Sequence, residues 1–205
     1  MQPVPKTLRL AADALTRKME TRFPALAPLA GPCFLNTIET TVETTSNGYF
    51  VITGDIPAMW LRDSAAQLRP YTAFAAQDEE VAKILRSVIA RHAFYITLDP
   101  YANAFNRSPS GACWDHDRSD RMSAWIWERK YEVDSLCAAL YLSHDYYSAT
   151  KDSTIFTTLW REMARRILDV WTLEQHHENS PYYFERTNCP PSDTLPNEGR
   201  GTAVG

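Results

Sequence analysis

The chain of 205 residues sets 21 Lys and Arg against 25 Asp and Glu, for a net charge of −4 at pH 7. No basic run stands out, which argues against nucleic acid or an anionic membrane surface as a partner. Hydrophobic residues make up 44%, aromatics 12% and charged residues 22%, a composition that excludes a disordered chain and allows one sizeable core or two small ones.

The start, Met1 to Lys6, has no apolar segment of the kind a secretory leader needs. No apolar run long enough to cross a bilayer follows, so a soluble, cytoplasmic protein is expected. Four cysteines (Cys33, Cys113, Cys137, Cys189) are scattered without a C-x-x-C pair, and free thiols are expected. From Thr7 to Phe23, Leu8, Ala11, Leu15 and Met19 recur at helical spacing, and Pro24 stops the pattern. Pro24, Pro28 and Pro32 predict a short irregular connection. From Cys33 to Thr53 β-branched residues dominate, and Asn47-Gly48 lies between a Thr-rich run and Tyr49-Phe50-Val51-Ile52, which predicts a β-hairpin.

The hairpin delivers the chain into Thr53-Gly54-Asp55-Ile56-Pro57-Ala58-Met59-Trp60-Leu61-Arg62-Asp63-Ser64. Gly54 and Pro57 shape this stretch as a loop. Trp60 offers a flat apolar face with one donor, and Arg62 beside Asp63 sets a rigid fork next to an acceptor. A sugar needs that mixture, since its hydroxyls take bidentate partners and its C–H face takes an aromatic ring. The same residues also suit a structural ion pair beneath a helix start with Trp60 in the core.

Ser64 to Ala76 reads as a helix disturbed at Pro70. Asp78 to Leu98 reads as a second helix, with Val81, Leu85, Val88, His92 and Tyr95 on one face, where His92 is expected as a core residue. Asp99 to Met122 is a long loop rich in Pro, Gly, Asn and Asp, a type that is often functional. Glu132 to Thr150 is helical through Val133, Leu136, Leu140, His144 and Tyr147. Lys151-Asp152-Ser153 predicts a turn in which Ser153 caps the next helix, marked by Phe156, Leu159, Met163, Ile167 and Val170. From His177 onward, with Pro181, Pro190, Pro191 and Pro196, the chain reads as loop. Spacing alone therefore predicts a mostly-α protein with one hairpin.

Two later runs stand out beside the first. They are Leu98-Asp99-Pro100-Tyr101-Ala102-Asn103-Ala104-Phe105-Asn106 and Trp127-Glu128-Arg129-Lys130-Tyr131-Glu132-Val133-Asp134-Ser135-Leu136-Cys137. In order and spacing the three runs resemble the signature of glycoside hydrolase family 125, the metal-independent exo-α-1,6-mannosidases, and the resemblance covers roughly residues 8 to 205. It implies a single partial domain over residues 1–205, the N-terminal half of an (α/α)6 barrel continuing beyond Gly205. The implied activity is inverting release of terminal α-1,6-linked mannose from mannosides or N-glycans, without cofactor or metal.

An inverting glycosidase needs a carboxylic acid and a carboxylate base about 6.5–9.5 Å apart. Asp55, Asp63, Asp99, Glu128, Glu132 and Asp134 are all available, and sequence alone selects no pair among them. The resemblance implies an acid in a motif shortly after the Gly199–Gly205 segment and a base further on, so neither maps to a position here and the chain is expected to be truncated and inactive alone. The expected sugar ligands are Asp55, Trp60, Arg62 and Asp63. Asn103 and Asn106, whose amides both donate and accept, join them, as do Lys130 and Glu132, a cation and an acid at alternate positions ahead of a helix. Asp115-His116-Asp117 with Asp120 lacks a metal-ligand spacing, and His176-His177 reads as a solvated helix end. A mannose-binding remnant without catalysis and a helical interaction scaffold are the alternative functions.

Overall fold

The computed structural model describes residues 3–187. The first helix, α1 (Lys6–Arg22), follows Pro5. Where an irregular connection and then, from Cys33, strand-like β-branched residues are expected, the chain forms α2 (Ala27–Asn36) and a π-helical turn over Thr37–Thr41, so strand begins only at Val42. Pro28 falls in the first turn, where backbone N–H groups have no intrahelical partner to lose, so only Pro32 removes a bond. Gly31 lets α2 lie close on α1, because a Cβ there would stand 3.0 Å from Thr16 Oγ1 and 3.7 Å from Ala12 Cβ. The inner face of α1 is correspondingly Leu8 and Ala12, while Leu15 of the expected stripe is exposed. Thr40 and Thr41 donate their hydroxyls to the carbonyls of Asn36 and Thr37, a side-chain competition that goes with the loosened last turn.

The predicted hairpin forms as β1 (Val42–Thr45) antiparallel to β2 (Gly48–Val51), with Thr45 opposite Gly48. The two-residue turn is Ser46-Asn47, and Gly48, at φ 94°, opens the second strand. Next come β3 (Met59–Trp60) and α3 (Leu61–Leu68), which starts three residues sooner than Ser64 and tightens to a 3-10 turn over Arg69–Phe74 around Pro70. The long helix α4 (Glu79–Leu98) is capped by Asp78, whose carboxylate accepts from the N–H groups of Glu80 and Val81.

The stretch expected to be loop between Asp99 and Met122 contains β4 (Ala104–Phe105) and β5 (Asp117–Ser119), and β6 (Ile126–Glu128) follows. Asn106 ties the segment down by donating its amide hydrogens to the carbonyls of Ala112 and Ala124. Helix α5 (Val133–Thr150) ends at Lys151, in left-handed backbone at φ 60°. Ser153 caps nothing. Asp152 caps the short 3-10 turn Ser153–Ile155, and Thr157 caps α6 (Thr158–Glu174), since each sits one residue before the first helical position. Beyond His177, a 3-10 turn over His177–Asn179 and β7 (Phe184–Arg186) replace part of the expected loop. Cys189, Pro190, Pro191 and Pro196 lie outside the described residues, within which Cys33, Cys113 and Cys137 are free and exposed.

The architecture is mostly helical with small sheets. Helix α3 packs on α5 and α4 on α6, with the hairpin laid against α4. The core runs along α4, where Ile84, Leu85, Val88, Ile89, Tyr95 and Ile96 are all fully buried. Burial of that apolar surface is the main stabilising term. Among the described residues no helix is long and apolar enough to cross a membrane.

Candidate functional site

A three-stranded sheet of order β3-β4-β6 joins the three runs that stand out in the sequence. Met59 and Trp60 pair with Phe105 and Ala104, and Ala104 and Phe105 pair in turn with Glu128 and Ile126. The ladder extends past the strands, since Leu61 N–H donates to Asn103 and Asn103 N–H to Glu128. Each outer strand leads into a helix, β3 directly into α3 and β6 through Arg129–Glu132 into α5. The N-terminal turns of α3 and α5 thereby meet, at the end of a helix where negative charge is favoured.

Arg62, in the first turn of α3, reaches across to α5. Its Nη1 donates to Glu132 Oε2 at 3.2 Å and to Asp134 Oδ2 at 3.1 Å, and its Nη2 lies 3.4 Å from Asp63 Oδ2. Ser135 adds a hydroxyl donated to Glu132 Oε2 at 2.9 Å. Partial burial pulls the Arg62 guanidinium down, but the hydrogen bond to Asp134 and the charges of Glu132, Asp63 and Asp134 outweigh it and hold the group above its ordinary value. Three carboxylates on one guanidinium leave an excess of acceptors and negative charge. One of those acceptors, Asp63 Oδ2, is shielded from solvent yet accepts no hydrogen bond. The Arg62 and Asp63 side chains are both 44% exposed, so the cluster opens to solvent and contributes little to stability.

Trp60, half-buried, precedes α3 directly. Behind it, Ser64 Oγ lies 2.6 Å from Trp60 O and 2.9 Å from His92 Nε2. His92 is 1% exposed, as expected of a core histidine. Burial first, and the Arg91 charge second, push its pKa down to about 3, so the imidazole is neutral. It braces the turn that presents Arg62.

The structure thus brings together Arg62, Asp63 and Glu132 of the expected residues, with Trp60 two residues before Arg62 at the end of β3, and adds Asp134, which lies in the same run, two residues past Glu132. The others lie differently. Asp55 is exposed in the turn after Gly54. Asn103 is fully buried, its amide donating to Glu128 Oε1 at 2.6 Å and its carbonyl oxygen accepting from Lys130 N–H at 3.4 Å. Asn106 is 2% exposed, and its amide holds the loop carbonyls already named. Lys130 is half-buried beside Asn103.

Asn103 belongs to a second polar group. Glu128 Oε2 accepts from Arg186 Nη2 at 2.6 Å, and Arg186 grips both oxygens of Asp117 at 2.7 and 2.9 Å. The hydrogen bonds to Asp117, opposed by burial and reinforced by Glu128, hold the Arg186 guanidinium far above its ordinary value. This link ties β7 and β5 to the strand carrying Glu128. Nothing in the sequence around Phe184-Glu185-Arg186 signals it.

A cleft of about 570 Å³ lies elsewhere, against Asp99, Tyr101, Arg129, Arg166 and Tyr182, and contains none of the expected sugar ligands. Its central cation, Arg129, is already paired with Asp99 at 2.7 Å and Asp120 at 2.8 Å. Among the described residues no three His, Cys, Asp or Glu side chains are arranged to hold a metal ion. Asp117 and Asp120 of the acidic loop serve Arg186 and Arg129 instead.

The model of the metal-independent α-mannosidases, glycoside hydrolase family 125, matches residues 24–205. The meiotically up-regulated gene 157 protein of Schizosaccharomyces pombe is 38% identical over 177 residues, covering 80% of this chain and 34% of that protein. A solved Streptococcus pneumoniae structure, a metal-independent α-mannosidase in a non-productive complex with α-1,6-mannobiose, superposes with a TM-score of 0.86 at 39% identity. That match covers 96% of this chain and 46% of the other. The chain therefore spans about a third of one relative's length and just under half of the other's.

Proposed function

The chain belongs to glycoside hydrolase family 125, the metal-independent α-mannosidases, and from that membership we propose that it carries the sugar-holding part of an exo-acting, inverting α-1,6-mannosidase. In this proposal Arg62, Asp63 and Glu132 hold hydroxyls of a terminal mannose, Asp134 keeps Arg62 in place, and Trp60 is the apolar wall. The catalytic acid and base are assigned to none of these residues, and the helices form half of an (α/α)6 barrel. The observation that carries the reading is the half-exposed cluster of three carboxylates on one guanidinium, an excess of acceptors beside a fork of donors. A sugar hydroxyl is both donor and acceptor, so it can donate to one of these carboxylates while accepting from Arg62. The mannobiose held by the S. pneumoniae protein supports the choice of sugar.

The test is release of mannose from α-1,6-mannobiose by a protein that joins this chain to the remainder of the family's length, and by its Arg62→Lys and Asp63→Asn variants. Lysine keeps the charge but loses the planar fork, and asparagine loses one acceptor. Each should lower kcat/KM by ~10- to 100-fold, with kcat falling as well as KM rising, because contacts that strengthen as the sugar distorts act on the transition state. Normal kinetics in a folded variant would return the cluster to architecture.

A further inference from the structure

A separate pocket of about 270 Å³ opens where the hairpin meets α4 and the segment leading into β6. Asn47, Ser87, Ala90, Arg91, Phe94 and Trp125 line it, and it shares no residue with the Arg62 cluster. Arg91 is 5% exposed. Its guanidinium donates to Tyr49 O at 2.6 Å, Tyr95 Oη at 3.1 Å, Thr45 Oγ1 at 2.9 Å and Asn47 O at 3.1 Å. All four partners are neutral. No carboxylate among the described residues pairs with it, although a buried charge is ordinarily matched by a counter-charge. The charge is felt nearby, since it is the second cause of the depressed His92 pKa.

The donors around Arg91 are not exhausted. A guanidinium has five N–H groups, and four are used, which leaves one on Nη1. Ser87 Oγ accepts from Tyr49 N–H at 2.7 Å, and its own hydrogen finds no acceptor among the described residues. The side-chain amide of Asn47, at the tip of the hairpin, likewise makes no hydrogen bond within the described residues. Phe94 and Trp125 supply the walls, edge to face with centroids 5.1 Å apart, and Phe94 is 37% exposed. A bare inorganic anion would leave those rings unused, and a neutral arene would leave the cation unmatched.

We propose that this pocket binds a small organic carboxylate with a flat apolar body, its carboxylate facing Arg91, Ser87 and Asn47 and its body lying against Phe94 and Trp125. The site is independent of the mannose reading. Ligand-observed NMR on the intact protein at low salt tests it with benzoate as probe. Benzoate should bind. Benzamide, with the same shape and no charge, and acetate, with the charge and no ring, should each bind about tenfold or more weakly than benzoate. Ala90→Leu grows a side chain into the pocket without touching a donor and should weaken benzoate by at least about tenfold. Asn47→Asp sets a carboxylate beside Arg91 from an exposed turn position. It should abolish benzoate binding while raising the melting temperature, and it decides the matter if Ala90→Leu disturbs folding. The proposal is overturned by benzamide binding as well as benzoate, by benzoate binding undiminished in Asn47→Asp, or by no benzoate binding up to about 10 mM, the range expected of so small a ligand.

Discussion

His92 should make the protein measurably less stable at mildly acid pH. Its imidazole is fully buried against Ser64, and its pKa falls from 6.5 in the unfolded chain to about 3 in the folded one. Between those two values the unfolded chain binds a proton that the folded chain does not, so stability rises with pH across the window and is lost as pH falls through it. At 1.36 kcal/mol per unit, the loss from pH 7 to about pH 5 is about 2 kcal/mol. Depressed carboxyls such as Asp78 and Asp152 act from around their ordinary value of 3.8 downward and leave the range from pH 7 to pH 5 clear. Urea unfolding at the two pH values should show a midpoint drop of about 1 M, taking a slope near 2 kcal/mol/M. His92→Gln, which keeps a donor for Ser64 but does not titrate, should lose most of that dependence, though it will be less stable at pH 7. An equal midpoint drop in His92→Gln would refute the assignment, as would a wild-type midpoint that does not move.

Three further outcomes follow from particular contacts. Gly48→Ala should destabilise the fold by ~2 kcal/mol or more in urea unfolding, because the residue sits at φ 94° and a Cβ would come 2.2 Å from Ser87 Oγ; unchanged stability would mean that the hairpin can shift on α4. Asn103→Ala leaves the buried Glu128 Oε1 without its donor and should cost ~1–3 kcal/mol by the same measurement, with Asn103→Ser recovering little of it. Asp134→Asn removes one of the Arg62 anchors in a 55% exposed position, so the melting temperature should hold while KM for α-1,6-mannobiose rises by a few-fold, ~1 kcal/mol or less; a lowered melting temperature with normal kinetics would make that contact structural.

Local signals account for much of the molecule. Asn47-Gly48 fixed the hairpin, Asp78 and the spacing Val81, Leu85, Val88 marked α4, and His92 on that stripe announced its own burial. The three polar runs were legible as special because acids, an arginine, amides and tryptophans crowd into short distances. Local reading failed at α2, since proline is disfavoured in a helix only where it removes a bond, at Ser153, since capping depends on backbone angles that composition does not specify, and at β4, β5 and β7, whose short strands form only by pairing with distant partners.

Partnership was decided only by the tertiary structure. Asn103 and Arg62 look equally fit for a sugar along the chain, yet one lies beneath the sheet, bonded to Glu128, and the other at its open edge. That difference comes from strand pairing between residues tens of positions apart. Arg186 reaches Glu128 from 58 residues away, and Arg91 faces a pocket formed with Asn47 and Trp125, each far from it along the chain. Side-chain type sets what a residue can bind, but which of its hydrogen bonds remain unused depends on every neighbour that folding brings to it.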